Sequence, residues 1–329
     1  MKLRRSALAL GSIAALTVLA ACGTTSPATD ETTTATGEPI TVTDSEGNDV
    51  TLADGPAQRV VALEWAQAEI MTSLGIDLVG VSDVAGYTSW VGAAVPLTGD
   101  PTDVGQRTEP SVETIADLEP DLIVGVARSI PDAVRSQMEQ IAPVLLLENA
   151  NAADPLGAVT DSVTTLATTV GKQDEGAALL DDFTATLDAN KARIDAAGLT
   201  GTEAVFASPY EDGGNVSIRM HGPGSAPQAV MSAIGLAPAW PDAGDEAYGL
   251  SYTDIEGLTA LPADSWFLYW ANADEDNPIT TYLEPNAVWQ SLPFVQGNRV
   301  EPAAEGIWVY GGPASLGAFS GDVADKLGA

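Results

Sequence analysis

The 329-residue chain has very little of several residue types on which enzyme and metal chemistry commonly depend. Its one cysteine, Cys22, excludes a disulfide within the chain and argues against thiol catalysis or a cysteine metal site. Its one histidine, His221, belongs to no His/Asp/Glu cluster with metal-ligand spacing, so we expect no direct metal site. A G-x-S-x-G motif is missing, and His221 has no obvious Ser and Asp partners, which argues against an exported hydrolase.

Basic residues are scarce as well. The chain has 13 Lys and Arg against 46 Asp and Glu, a formal net charge of −33. A balance this acidic argues against nucleic acid as a partner, and against binding to a membrane through a basic patch. The simplest interpretation is a solvated surface around a folded core.

The first 21 residues have the organisation of a signal peptide, with a basic start, MKLRR, before an apolar segment, SALALGSIAALTVLA. This segment ends at LAACG (residues 19–23), which is similar to a bacterial lipobox, and that resemblance implies cleavage before Cys22 and a lipid on its thiol. A plain secretory signal with a leftover cysteine is the alternative. Residues 22–38, rich in Thr, Ser and Ala, are predicted to be a flexible tether. No second apolar stretch is long enough to span a bilayer, so the predicted link to the membrane is the lipid.

Residues 39–153 alternate between short apolar runs and segments with helical spacing, which is typical of an α/β lobe with a mostly parallel sheet flanked by helices. A hairpin is predicted first, with its turn at Glu46-Gly47-Asn48. The predicted strands are Val60–Leu63, Leu78–Val81, Leu122–Val126 and Val144–Leu147. Ser111 is the predicted N-cap of a short helix.

Residues 154–197 have apolar side chains at helical spacing and no proline after Pro155, which predicts one long rigid helix between lobes, with Gly171 as the point where it could bend. Residues 198–329 return to the α/β pattern and form the predicted second lobe. The lobes share a pattern, because Glu113 and Glu256 each stand eight residues before an Asp that opens an apolar strand. We therefore expect two similar α/β lobes with a ligand cleft between them, at the C-terminal ends of the strands.

Five segments, in this order, resemble the cluster of ABC-transporter solute-binding proteins that deliver ferric siderophores and cobalamin. They are PAQRVVALEWAQAEIMTSLGIDLVGVSD, VGQRTEPSVETIADLEPDLIVG, TTVGKQDEGAALLDDF, SIRMHGPGSAPQAVMSAIGL and YTDIEGLTALPADSWFLY. The resemblance implies a monomeric binding protein, not an enzyme, tethered through Cys22 to the outer face of the cytoplasmic membrane. It would hand its cargo to a permease driven by a cytoplasmic ATPase. VGQRTEPSVE is most similar to the ferric-hydroxamate-binding branch, so the cargo it implies carries Fe(III).

The resemblance implies that Arg107 reaches into the cleft and hydrogen-bonds the oxygens around the iron. It implies a second cleft arginine, Arg219, in the other lobe, and two planar guanidinium groups would then clamp the ligand. The alternative for Arg107 is a salt bridge to Glu109 or Asp103. Arg128, at the lip of the first lobe, faces either the cargo or solvent.

Aromatic side chains are candidates for the apolar spacers of a siderophore. The candidates in predicted loops or at strand ends are Trp65, Trp270, Trp90, Tyr87 and Trp308. Trp65 and Trp270 are preferred because both follow strands, and a place in the core is the alternative for each. His221 is a further candidate, since a haem-binding relative would use a His or Tyr ligand on iron; a structural role is its alternative.

Glu113 and Glu256 are, by the same resemblance, the residues that meet arginines on the permease. Solvated glutamates favoured by a helix dipole are the alternative. The cargo alternatives are cobalamin, haem and a ferric catecholate. An exported hydrolase, or an adhesion or scaffold lipoprotein with an exposed apolar patch and no cleft, would be a different class of protein.

Overall fold

The computed structural model describes residues 37–148, 150–213, 215–272, 276–277 and 279–329. The predicted signal peptide, Cys22 and all but the last two residues of the predicted tether lie outside the described residues. From residue 37 onward the chain forms two α/β lobes, each built around one main sheet. The fold class predicted from the sequence is therefore confirmed.

The N-terminal lobe opens with the predicted antiparallel hairpin, β1 (Ile40–Thr43) with β2 (Asp49–Leu52). The strands that follow are β3 (Val60–Ala62), β4 (Gly80–Val81), β5 (Thr102–Asp103), β6 (Gly105–Gln106), β7 (Glu109–Pro110), β8 (Leu122–Val126) and β9 (Val144–Leu147). The helices are α1 (Trp65–Ser73), α2 (Val84–Trp90), α3 (Val112–Asp117) and α4 (Asp132–Met138). Five strands form a parallel sheet in the order β5-β4-β3-β8-β9, and β6 and β7 form a separate small hairpin.

Four strands of this sheet are buried along their whole length because helices cover both faces. Every residue of the inner strands β4, β3 and β8 and of the edge strand β9 is buried. Gly80 in β4 allows close packing, since a Cβ there would lie 2.8 Å from the Leu118 side chain and 2.9 Å from that of Val104. The predicted N-cap is confirmed, because the Ser111 hydroxyl accepts a hydrogen bond from the Thr114 N–H at 3.3 Å.

The segment predicted as one long helix contains two helices, α5 (Pro155–Thr169) and α6 (Gln173–Ala196). The break falls at Gly171, whose φ of 67° lies in the left-handed region that a continuous helix does not use. The two helices pack closely at Gly176, where a Cβ would lie 2.6 Å from that of Ala167. The single rigid helix is thus corrected to a pair of packed helices.

The C-terminal lobe has a mixed sheet. Its strands are β10 (Glu203–Asp212), β11 (Asn215–His221), β12 (Ala237–Pro238), β13 (Leu250–Thr253), β14 (Trp266–Tyr269) and β15 (Val300–Pro302). Its helices are α7 (Ala226–Ala233), a 3₁₀ turn at Gly257–Ala260, a π-helical turn at Ile279–Leu283, α8 (Ala287–Ser291), α9 (Pro293–Gln296) and α10 (Pro313–Lys326). The order is β13-β11-β10-β14-β15, with β12 also on β10; β11 runs antiparallel to both of its neighbours.

The repeated sequence pattern corresponds to a repeated structure. In the N-terminal lobe α3, with Glu113 in its first turn, leads through a turn into β8. In the C-terminal lobe the 3₁₀ turn that follows Glu256 leads through a turn into β14. Asp121 accepts hydrogen bonds from the N–H groups of Gln58 and Arg59 just before β3, each at 2.8 Å. Asp264 forms an ion pair with Arg299 just before β15, at 3.1 Å. Asp121 thus fixes the start of β8 against β3, whereas the Asp264 side chain is 89% exposed and contributes a surface ion pair beside β15.

A buried carboxylate joins the two lobes. Glu69 of α1 has no exposed surface and accepts hydrogen bonds from the backbone N–H groups of Gly312 and Ser315, each at 3.0 Å, at the start of α10. Burial raises the pKa of Glu69, and the hydrogen bonds from Ser315 and Gly312 oppose that rise. Glycine is needed at Gly311, because a Cβ there would lie 2.4 Å from a Glu69 carboxylate oxygen. α1 and the start of α10 are therefore fixed together.

Candidate functional site

The candidate site lies between the lobes, as predicted, next to the C-terminal ends of β3, β10 and β14. It comprises two adjoining cavities of about 480 Å³ and 530 Å³, which share Arg107, Arg219 and Trp308. We call the first the tryptophan chamber, lined by Trp65, Trp90, Arg107, Ser208, Pro209, Tyr210, Glu211, Arg219, Trp270, Ala271, Asn272, Asp276, Tyr282 and Trp308. We call the second the tyrosine chamber, lined by Glu64, Arg107, Arg128, Ser129, Arg219, Asp245, Ala247, Tyr248, Leu250, Tyr252, Trp308 and Tyr310. Each chamber is the size of a small-molecule site.

Four of the chain's seven tryptophans form one cluster in the first chamber. Trp65 and Trp90 come from the N-terminal lobe, and Trp270 and Trp308 from the C-terminal lobe. Ring centroids lie 4.9 Å apart for Trp65 and Trp308, 5.1 Å for Trp90 and Trp270, and 4.9 Å for Trp270 and Trp308. The first two pairs meet edge to face, a favourable arrangement for aromatic rings. The chamber thus presents a broad apolar surface built by both lobes.

Arg107 enters the site from the turn between β6 and β7. Gly105, with φ 94°, allows this tight hairpin, because a Cβ there would lie 3.0 Å from the Glu109 carbonyl oxygen of β7. The guanidinium carbon lies 4.1 Å from the Trp65 ring centroid and 5.2 Å from that of Trp308. Nη1 donates to the Glu64 carboxylate at 2.5 Å, so its ion-pair partner is Glu64 and neither of the two carboxylates weighed from the sequence.

Arg219 enters from the opposite lobe. It lies in β11, paired with Ser208 of β10 and with Tyr252 of β13. Its guanidinium carbon lies 5.6 Å from the Tyr210 ring and 5.8 Å from the Tyr252 ring. Its Nε is buried and finds no hydrogen-bond partner in the part of the chain that the structure describes. A buried N–H without an acceptor is costly, which makes Arg219 a ready donor to a ligand oxygen.

Arg128 follows β8, is exposed, and lines the tyrosine chamber together with a smaller adjoining cavity of about 240 Å³. Burial raises the pKa of Tyr310 and of Tyr248 in the same chamber, so both phenols stay protonated at neutral pH and can donate hydrogen bonds. The chamber therefore combines a cation with neutral hydroxyl groups.

The predicted tryptophan contacts Trp65, Trp90, Trp270 and Trp308 all line the tryptophan chamber. Trp65 is only 4% exposed, and its Nε1 donates to the Ser82 carbonyl at 3.2 Å, so it offers the site little surface. The other three are half-buried.

Two predicted ligand contacts need correction. Tyr87 lies in helix α2 with no exposed surface, and its hydroxyl donates to the Val95 carbonyl at 2.9 Å, so it belongs to the core.

His221 also has no exposed surface, and its Nε2 lies 3.0 Å from the Ser208 hydroxyl. Burial lowers the pKa of His221 to about 3, with the Arg219 charge adding to the effect, so the ring is neutral. His221 is the last residue of β11, which runs antiparallel to β10. It therefore pairs with Phe206 in the first half of β10 and lies away from the cleft edge.

Several site residues were not predicted. Glu64, Tyr210, Tyr252, Tyr282 and Tyr310 all line a chamber. Glu64 carries a signal that could have been used, since it is a carboxylate directly after a buried apolar strand and directly before the predicted Trp65. The tyrosines are brought together by strand pairing between distant segments, which the sequence does not display.

Glu113 and Glu256 are both exposed on the protein surface. Glu113 lies in the first turn of α3, and Glu256 precedes the 3₁₀ turn at Gly257–Ala260. Among the described residues, no group of three or more His, Cys, Asp or Glu could hold a metal ion. The helices within the described ranges include none that is both long and apolar enough to cross a membrane.

Two α/β lobes with a ligand-sized cleft at their strand ends define a solute-binding protein. The chain belongs to the periplasmic binding protein family, whose sequence model matches residues 60–301. It is 27% identical over 258 residues to the iron(3+)-hydroxamate-binding protein FhuD of Escherichia coli, covering 78% of this chain and 82% of that protein. It is 27% identical over 293 residues to the Fe(3+)-citrate-binding protein YfmC of Bacillus subtilis, covering 86% and 84%. The crystal structure of the siderophore-binding protein FhuD of Vibrio cholerae bound to Fe3+–Desferal superposes with a TM-score of 0.70 at 27% identity, covering 82% of this chain and 97% of that one.

Proposed function

We propose that this protein is the extracytoplasmic binding component of an ABC importer, which captures a ferric siderophore of the hydroxamate type in the cleft and delivers it to a membrane permease. The observation that carries the proposal is the convergence of Arg107 and Arg219, from opposite lobes, on the wall shared by the two chambers. Family membership and the names of the relatives support the same cargo class.

The chemistry of a ferric hydroxamate fits this wall. The siderophore supplies all the iron ligands, so the protein needs hydrogen-bond donors around the iron-bound oxygens and no metal ligand of its own. Two guanidinium groups supply planar, charged donors. The half-buried Trp90, Trp270 and Trp308 supply apolar surface for the chains between the hydroxamate groups. Arg128 is the third candidate donor, in the lining of the tyrosine chamber.

Delivery rests on surface features. The exposed Glu113 and Glu256 occupy equivalent positions in the two lobes, which suits two-fold related arginines on a permease. We further propose that a lipid on Cys22 anchors the protein to the outer face of the cytoplasmic membrane, and that the protein acts as a monomer and catalyses no reaction. Among the alternative cargoes, haem would need a His or Tyr ligand on its iron; the buried His221 cannot supply one, which leaves the tyrosines of the tyrosine chamber.

The test is a titration of the full-length protein, followed by quenching of its tryptophan fluorescence. The panel comprises ferrioxamine, ferrichrome, a ferric catecholate, haem and cobalamin. We expect tight, saturable quenching by the hydroxamates, because four tryptophans line the site. Binding of haem or cobalamin alone would keep the solute-binding class and refute the hydroxamate cargo.

Arg107→Ala and Arg219→Ala test the clamp. Each should weaken hydroxamate binding by about 1.5–3 kcal/mol, or roughly tenfold to 150-fold, because a charged hydrogen-bond donor is lost. Arg193→Ala is the matched control, since Arg193 lines neither chamber and forms an ion pair with Asp325 between α6 and α10. Equal affinities for all three variants and the wild type would contradict the clamp.

A further inference from the structure

Glu64 is a cleft carboxylate to which the proposed function gives no role. It follows β3 at the cleft edge of the N-terminal sheet and is only 4% exposed. Its Oε1 accepts hydrogen bonds from the Trp65 N–H at 3.1 Å and from Arg107 Nη1 at 2.5 Å. One buried oxygen therefore holds the guanidinium group against the tryptophan rings.

The ion pair is unusual within the site. The other two arginines that line the chambers, Arg128 and Arg219, form no ion pair with any carboxylate among the described residues. Arg107 is thus the cleft cation whose charge is cancelled by a fixed partner. Only one of the five N–H donors of a guanidinium group is used at the 2.5 Å contact, so the remaining donors can still serve a ligand.

The formal charges that line the two chambers leave no positive excess. Three arginines line them, Arg107, Arg128 and Arg219, against four carboxylates, Glu64, Asp245, Glu211 and Asp276. Water screens the three exposed carboxylates, whereas Glu64 is buried and acts on the site at close range. Removing the Glu64 charge would therefore change the potential at the shared wall more than removing any of the others.

We propose that Glu64 is a specificity-determining residue, which neutralises Arg107 and so makes the cleft select a ferric chelate without net negative charge. The inference rests on the proposed function and narrows its substrate class. Three hydroxamates cancel the charge of Fe(III), whereas three catecholates leave three negative charges on the complex. A clamp of two uncompensated arginines would attract the second kind of complex, and the Glu64–Arg107 pair weakens that attraction while keeping the donors.

A purely structural role for Glu64 gives a different expectation. If Glu64 only fixed the start of α1 and the Arg107 side chain, its loss would weaken all ligands alike. Glu64→Gln separates the two roles, because glutamine keeps the volume and an acceptor oxygen and removes only the charge. Glu64→Asp keeps the charge on a shorter side chain and should keep the discrimination.

The experiment measures fluorescence-quenching affinities of the full-length protein for a neutral ferric trihydroxamate, ferrichrome, and for a trianionic ferric tris-catecholate. For Glu64→Gln we expect the affinity for the trianion, relative to that for ferrichrome, to rise at least about tenfold at low salt, and to rise less as salt screens the charge. Glu64→Asp should leave this ratio within about threefold of the wild type. The matched control is Glu109→Gln, which removes an exposed carboxylate from the same hairpin as Arg107 and should leave the ratio within about twofold.

An unchanged ratio in Glu64→Gln, or an equal loss for both ligands, would overturn the proposal and leave Glu64 with a structural role. A wild type that binds the trianion as tightly as ferrichrome would overturn it too, while leaving siderophore binding intact. A wild type that binds neither ligand would instead refute the proposed function, and the inference with it. Far-ultraviolet circular dichroism of each variant verifies that it is folded.

Discussion

Glu69→Ala should destabilise the protein strongly, because it removes the carboxylate that joins α1 to the start of α10. In the wild type this buried side chain accepts the N–H groups of Gly312 and Ser315, each at 3.0 Å. Alanine leaves two buried donors without an acceptor, at about 1–3 kcal/mol each, and opens a cavity in their place. We expect a total loss of about 3–5 kcal/mol in the free energy of unfolding.

The assay is urea-induced unfolding at neutral pH, followed by circular dichroism. Glu69→Gln is the control for volume, and its single carbonyl oxygen can accept only one of the two N–H groups. It should therefore lose about 1–3 kcal/mol, less than the alanine variant. A loss below about 1 kcal/mol for Glu69→Ala would refute the view that this contact fixes the lobes together.

The same residue gives a pH dependence. Because burial raises the pKa of Glu69 above its ordinary value of 4.5, the folded protein takes up a proton there before the unfolded chain does. Stability of the wild type relative to Glu69→Gln should therefore rise as the pH falls from above the folded pKa towards 4.5. A difference that falls over that range would contradict the direction given by burial.

Three further changes have definite expected outcomes. The free energy of unfolding of the wild type, relative to that of His221→Gln, should fall as the pH drops from about 6.5 to about 3, because the unfolded chain binds the proton first. The fall should reach up to about 1.4 kcal/mol per pH unit. A difference in urea unfolding that does not change with pH would contradict this. Tyr87→Phe should lower the free energy of unfolding by about 1 kcal/mol, because the hydrogen bond to the Val95 carbonyl is lost, and should leave the ligand affinity within about twofold. A tenfold loss of ligand affinity would instead show that Tyr87 belongs to the binding site. Gly171→Ala should destabilise by about 1–2 kcal/mol because of the positive φ, whereas stabilisation would indicate a continuous helix.

The sequence predicted the strands well where burial on both faces leaves a continuous apolar run. Leu122–Val126 and Val144–Leu147 were predicted with the bounds they have in the structure. Their apolar runs are bounded by polar residues and turns, so the local pattern alone defines them. The two-lobe architecture followed from the alternation of such runs with helical segments.

The failures have physical causes. Helix α2 (Val84–Trp90) carries a glycine and β-branched residues, and its N-cap, Asp83, has a positive φ of 51°, so nothing in the local pattern predicts a helix that buries Tyr87. His221 was placed at the cleft because it ends a strand, but the direction of β11 is set by its pairing with β10, far from any local signal. The break at Gly171 has a local signal that the prediction of one long helix did not use, because Gly171 and Lys172 donate backbone hydrogen bonds to the carbonyls of Thr168 and Ala167, the helix ending that favours glycine.

The sequence analysis named the arginines and four tryptophans that line the candidate site and missed its carboxylates and tyrosines. Arg107, Arg219, Arg128 and the four tryptophans line the chambers. The Glu64–Arg107 pair joins residues 43 positions apart, which only the folded sheet brings within 2.5 Å. Long-range ion pairs of this kind have no signature in a single sequence.

A crystal structure of the protein with a ferric trihydroxamate bound would test the central claim most directly. We expect the iron complex to lie at the wall shared by the two chambers, with guanidinium nitrogens of Arg107 and Arg219 within about 3.2 Å of iron-bound oxygens. We also expect the half-buried tryptophans to contact the chains between the hydroxamate groups. A complex held elsewhere, or one that touches neither arginine, would contradict the clamp between the lobes.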